Sequence, residues 1–153
     1  MSEPEHIKTI RTVRDLIVGG DPPGLRELGH ALDRLALVYW LCPEDNPDEQ
    51  DHETSRDYQG LYASMGPRFP YLGLYRSVFS TLDLGEEACI SDAIDDLCDI
   101  ALDLSDVLFR FERVSEADAN WHFKFHFEYH LGPHLRDLSK HLHDLIREQA
   151  SDE

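Results

Sequence analysis

The chain has 153 residues, and 31 acids against 14 bases give it a formal charge of −17. That length fits one domain, and 41% apolar residues are enough for one core. So negative a surface repels phosphate backbones and anionic lipid, which argues against nucleic acid and membranes and for a basic protein as partner.

The N-terminal MSEPEHIKTIRTVRDL carries acids and no apolar stretch, so a secretory signal is not expected. No run of about eighteen uncharged apolar residues is present to span a bilayer. Cys42, Cys89 and Cys98 form no CxxC pair, and an odd count argues against a disulfide framework. Three reduced, mostly buried thiols and a cytoplasmic location are expected.

Pro4 suits a first helical turn, and Ile7, Ile10, Val13, Leu16 and Ile17 follow at helical spacing. Gly19-Gly20-Asp21-Pro22-Pro23 ends that helix. A second is predicted from Leu25 to Leu41, with Leu25, Leu28, Leu32, Leu35 and Tyr39 on one face. An acidic, Pro-rich segment at about 43–54 then reads as a solvated loop. A third helix is predicted from Ser55 to about Met65, stopped by Gly66-Pro67, and the aromatics of RFPYLGLY are expected to anchor an irregular segment on the core. The stretch Leu74–Leu82 has no clear pattern.

Two long helices close the chain, one over about Ser91–Arg113 and one beginning after Ser115. Ser115-x-x-Asp118 is close to a capping box. WHFKFHFEYHL alternates with period two, a strand signature, but no partner segment alternates over such a length, so helix is preferred. Pro133 lacks the N–H that would reach Tyr129, so a kink is expected between His130 and His134. The tail at about 150–153 is expected to be disordered. The expectation is therefore a single all-α domain, an irregular bundle of five or six helices with a long C-terminal antiparallel helical hairpin.

Charge is unevenly placed. Residues 43–57 hold seven acids and one base, and residues 86–106 hold eight acids and no base. Asp92, Asp95, Asp96, Asp99, Asp103 and Asp106 share one helical face. Aspartate forms helices poorly and like charges four apart repel, together costing roughly 1 kcal/mol. A counter-charge is therefore expected. His122, His126, His130 and His134 recur every fourth residue on the next helix. In an antiparallel hairpin, equal distance from the turn puts Asp106 opposite His122, Asp103 opposite His126, Asp99 opposite His130 and Asp96 opposite His134.

Two uses of these rows are open. In the preferred one, Asp92, Asp95, Asp103, Asp106, His122 and His126 belong to a structural polar network. In the other, Asp96, Asp99, His130 and His134 bind a divalent ion such as zinc, manganese or iron, since oxygen and imidazole donors suit those ions. No other cofactor is indicated.

At these residues the chain resembles a bacterial family known as domain of unknown function 5063. The matches are Asp95, Asp96, Leu97, Asp99 and Ile100 in an Asp-Asp-Leu-x-Asp-Ile segment, and His130, Gly132 and His134 in a His-x-Gly-x-His segment. GPRFPYLGLY at 66–75 is similar too, and the likeness covers about the C-terminal two-thirds. Leu131 departs from the tryptophan the family often places before the glycine. The resemblance implies a short all-helical protein and implies no reaction.

Arg136-Asp137-Leu138-Ser139-Lys140-His141 fits the loose Arg-x4-His pattern of small helical ribonucleases, a match that chance and the negative charge explain better. P-loop, GxGxxG, GxSxG and HExxH motifs are missing from the sequence. The aromatics around Tyr39-Trp40, Tyr58, Tyr62, Phe79 and 121–129 exceed what a core needs, which points to a protein-binding face. The sequence thus favours a non-catalytic binding or regulatory module. A metal-dependent hydrolase using Asp and His on the hairpin is the alternative.

Overall fold

The fold is described from a computed structural model, over residues 2–151. Glu5–Val18 (α1) and Leu25–Leu41 (α2) lie where the apolar spacing puts them, burying Ile7, Ile10, Val13 and Ile17, and Leu25, Leu28, Leu32 and Leu35. Gly20 supplies the left-handed backbone (φ 63°) of the turn after α1. The carbonyls at the end of α1 are capped from a distance. The Arg68 guanidinium donates to the carbonyls of Leu16, Ile17, Gly19 and Gly20 at 2.9–3.1 Å, which satisfies orphan acceptors and places a cation at the negative end of the helix dipole.

The third helix, Tyr58–Arg68 (α3), starts later than expected and runs through Gly66-Pro67 rather than stopping there. Pro67 lies in the last turn. The carbonyl it leaves without a partner belongs to Ala63, an exposed residue open to water, so the usual cost of an internal proline is small there. Asp57 caps its start by accepting from the Gly60 N–H at 3.0 Å. Beyond α3, Phe69, Leu72 and Tyr75 are buried, the anchoring expected of this segment.

The patternless stretch begins with the first strand of a short hairpin. Leu74–Ser77 (β1) pairs antiparallel with Cys89–Asp92 (β2), Leu74 opposite Asp92 and Ser77 opposite Cys89. These four-residue strands are a small addition to an otherwise helical bundle.

Ala93–Arg113 (α4) is the central helix, packed against α1, α3 and the C-terminal helices. Asp92 caps it through the Ile94 N–H at 2.9 Å. After a tight turn, Ser115 caps Glu116–His126 (α5) by accepting from the Asp118 N–H at 3.0 Å. The helix continues through a π-helical turn, Phe127–Leu131, into Gly132–Ser151 (α6). The helical reading of WHFKFHFEYHL holds. A π turn stands where a proline kink was expected. Of the expected tail, residues 150–151 are helical, and 152–153 lie outside the described residues.

The π turn has a cause and a use. The Gly132 N–H donates to the carbonyl of Phe127, five residues back, and a Cβ on Gly132 would stand 2.0 Å from that oxygen. Only glycine fits. Residues four apart precess by about 40° per step around an α-helix, so a row of four drifts off its face. A wider turn in mid-row takes back part of that drift.

Candidate functional site: the aspartate and histidine seam

The aspartate row does not face solvent. Asp96, Asp103 and Asp106 are buried, Asp103 to 1% exposure, and Asp92, Asp95 and Asp99 are half-buried. Burying a carboxylate is costly without cations and hydrogen-bond donors. The histidines of α5, the π turn and α6 supply some of these. His126 Nε2 donates to Asp106 Oδ2 at 2.7 Å, His130 Nδ1 to Asp103 Oδ2 at 2.7 Å, and His134 Nδ1 to Asp96 Oδ1 at 2.6 Å. His134 Nε2 also lies 3.1 Å from Asp99 Oδ2, and His130 Nε2 lies 3.8 Å from the same oxygen.

The rows meet in the expected register at one end and with an offset at the other. Of the expected pairs, Asp96–His134 is a direct hydrogen bond and Asp103–His126 and Asp99–His130 stand at 3.8 Å, whereas the hydrogen bonds of Asp103 and Asp106 go one helical turn further along the second helix, to His130 and His126. Helical side chains lean toward the N-terminus of their own helix. In an antiparallel hairpin this tilts the aspartates away from the turn and the histidines toward it. A histidine must therefore start about one turn further out to meet its aspartate. His134 reaches both Asp96, its expected partner, and Asp99. His122, left over, turns to its own helix, donating through Nδ1 to the Asp118 carbonyl at 2.9 Å.

Arginines and tyrosines complete the seam. Arg110 bonds Asp106 at 3.1 Å and Asp118 at 3.2 Å, and Arg56 bonds Asp103 Oδ1 at 2.7 Å. The acidic segment before α3 is thus a strap across the hairpin rather than a solvated loop. The Asp48 N–H donates to Asp118 at 2.9 Å, and the His52 carbonyl accepts from Arg110 at 3.0 Å. At the other end of the row the Tyr62 hydroxyl donates to Asp92 at 2.5 Å, Tyr58 to Asp95, and Tyr75 to Asp96. Among the described residues every buried side-chain polar atom has a partner. Sequence reading missed Arg56, Arg110 and the tyrosines. The only legible signals were Arg110 four residues after Asp106 and Arg56 as the lone base in its acidic run.

The electrostatics divide the seam in two. At the Arg110 end, burial alone would raise the Asp106 pKa, but hydrogen bonds from His126, Thr54 and Arg110 outweigh it and hold the carboxyl far below the usual range. At the other end, burial and the charge of Asp95 push Asp99 up despite His134 and His130. Burial would lower His134, but its bond to Asp96 and the charges of Asp96, Asp99 and Asp95 raise it. His122 is lowered by burial. The Asp99 end of the seam is therefore short of positive charge.

One donor atom from each of Asp99, His130 and His134 lies within 4.8 Å of the other two. Behind this trio, Asp103 and Asp96 hold the Nδ1 of the two histidines, leaving each Nε2 nearest Asp99. Asp95, Asp96 and His134 form a second set within the same reach, but Tyr58 and Tyr75 already occupy its carboxylates. Of the four residues named from sequence as metal candidates, three converge and Asp96 stands behind His134.

The direct pairs should couple energetically. Asp103→Ala and His130→Ala are expected to be non-additive in urea melts by about 1 kcal/mol, with a smaller coupling for Asp99→Ala and His130→Ala. Additive losses for Asp103 and His130 would contradict the contact.

The class defined by this fold and site is an acidic helical bundle with a buried carboxylate–histidine seam along its last hairpin. Residues 30–148 match the family described as a domain of unknown function (DUF5063), and the chain belongs to it. The match extends further toward the N-terminus than the motifs first indicated, taking in most of α2. A solved structure, protein BF1032 from Bacteroides fragilis, is similar in fold, with a TM-score of 0.72 at 16% identity over 92% of this chain and 89% of that one. The comparison with curated proteins finds no match. Cys42 and Cys98 are buried and Cys89 exposed, all three as free thiols, and among the described residues no helix is long and apolar enough to cross a membrane.

Proposed function

We propose that the chain is a divalent-metal-binding module whose ion is held by Asp99, His130 and His134. One observation carries this reading: the three donors converge while a buried carboxylate fixes the Nδ1 of each histidine. That pairing sets the tautomer with Nε2 free for a metal and raises its basicity, the usual outer shell of a histidine ligand. Without an ion, His134 meets a carboxylate at both nitrogens, Asp96 at 2.6 Å and Asp99 at 3.1 Å. A divalent cation would supply the positive charge that Asp99 lacks.

Such an ion would pin α4 to α6, a role that suits a regulatory module. A basic protein fits its charge as partner, and the buried thiols suit the cytoplasm. A metal-dependent hydrolase is the second reading, favoured by one feature. Three protein ligands would leave coordination positions open on the ion, and such an ion would supply the means to activate water for hydrolysis.

Zinc or manganese binding only the folded chain raises its melting temperature with concentration. At 100 times Kd the gain is about 2.7 kcal/mol, a shift of roughly 5–10 °C. His134→Ala should remove the shift and the exposed His143→Ala should keep it. If no divalent ion moves the transition, or if His134→Ala leaves the shift intact, the metal reading fails.

A further inference from the structure

A cleft of about 500 Å³ lies apart from the proposed metal ligands, between the β1–β2 hairpin and α6. That is the size of a small-molecule site. Tyr75 and His141 form one wall, their rings stacked with centroids 4.5 Å apart, and Val78 and Ala88 add apolar surface.

Its lining carries balanced charge, Arg76 and Lys140 against Asp137 and Asp144. Lys140 and Asp144 pair with each other at 3.0 Å. Arg76 and Asp137 pair with nothing among the described residues, and they are not within ion-pair distance of one another. Among the described residues His141 has its ring stack and no hydrogen bond, and burial lowers its pKa. Burial and the charge of Asp96 push the Asp137 carboxyl up, a load that a bound ammonium would relieve.

We infer that this cleft binds a free α-amino acid with an apolar side chain. Its carboxylate meets Arg76, its ammonium meets Asp137, and its side chain lies against the Tyr75–His141 wall. A simple anion would leave Asp137 repelled, and a simple cation would do the same to Arg76. A zwitterion satisfies both. A guanidinium is the natural partner for a carboxylate because it offers two parallel donors.

The test is calorimetry and thermal melting with L-phenylalanine and L-leucine in the presence of a chelator, so that it stands apart from metal binding. The same is done with N-acetyl-L-phenylalanine, which lacks the ammonium, and L-phenylalaninamide, which lacks the carboxylate. The free amino acids should bind and each blocked form should bind at least tenfold more weakly. Arg76→Gln should weaken the amino acid at least tenfold while leaving the amide unchanged. Asp137→Asn should do the reverse, weakening the amino acid and sparing the N-acetyl form. Because Arg76 is exposed and Asp137 half-buried, both variants should fold, which the melting baseline checks. The inference is overturned if neither amino acid binds, if the blocked forms bind equally well, or if both variants bind like the parent.

Discussion

Gly132→Ala is expected to cost about 3 kcal/mol or more and to lower the melting temperature by roughly 10 °C. The new methyl would meet the Phe127 carbonyl at 2.0 Å, a contact no side-chain adjustment relieves because the obstacle is backbone. The helix must then give up the π turn or shift Gly132 away from it. Either change rotates the start of α6, which carries Leu135, Leu138 and Leu142 into the core. Gly29→Ala is the contrast. It lies inside α2, and a Cβ there comes no closer than 4.0 Å to a side-chain carbon of Ile146, so the same substitution should be neutral or stabilising by about 0.5–1 kcal/mol. Equal effects in differential scanning calorimetry would mean that Gly132 is conformationally ordinary.

Asp106→Ala should be the costliest change in the seam, at about 3 kcal/mol near neutral pH, because it leaves the buried Arg110 with Asp118 as its one carboxylate and unpairs His126. Its pH dependence follows from its depressed pKa. A carboxylate lowered on folding contributes stability that is fully present above its unfolded value, near 3.9, and is lost as pH falls through the folded one. In urea melts the gap between the parent and Asp106→Ala should therefore stay constant from pH 7 to about 5 and narrow progressively below 4. A gap that does not change from pH 7 to pH 3 would show that the carboxylate is not held ionised by its partners.

Much of this structure was legible because its signals are local. The apolar spacing of α1 and α2, the Ser115 cap and the amphipathic pattern of α4 depend on residues within a few positions of one another. What escaped notice depends on distance or direction. The β1–β2 strands have four residues each, too short to alternate visibly. The π turn rests on one missing Cβ, which no periodicity reports. Counting from the turn put the two polar rows on facing helices and found the Asp96–His134 bond, but it missed the bonds of Asp103 and Asp106 by one turn, because counting places Cα atoms and ignores the lean of side chains. The countercharge demanded by the aspartates was foreseen. That Arg56 would bring part of it from an acidic strap was not, since its neighbours in sequence point to solvent. The tyrosines gave no sign, because a hydroxyl aimed at a carboxylate reads as one more core aromatic.

Asp103 has two close holders on separate elements. Arg56 reaches it from the strap and His130 from the π turn, each at 2.7 Å and on separate oxygens. The charge on one holder alters how tightly the other is gripped, and equilibrium linkage makes that influence equal in both directions. An ion bound at His130, as proposed above, would therefore change how readily the strap lifts, and a partner that pulled the strap away would change how strongly His130 holds that ion. The loop with the strongest charge and the hairpin with the densest histidines are in this way two ends of one lever, with a single buried carboxylate as its fulcrum.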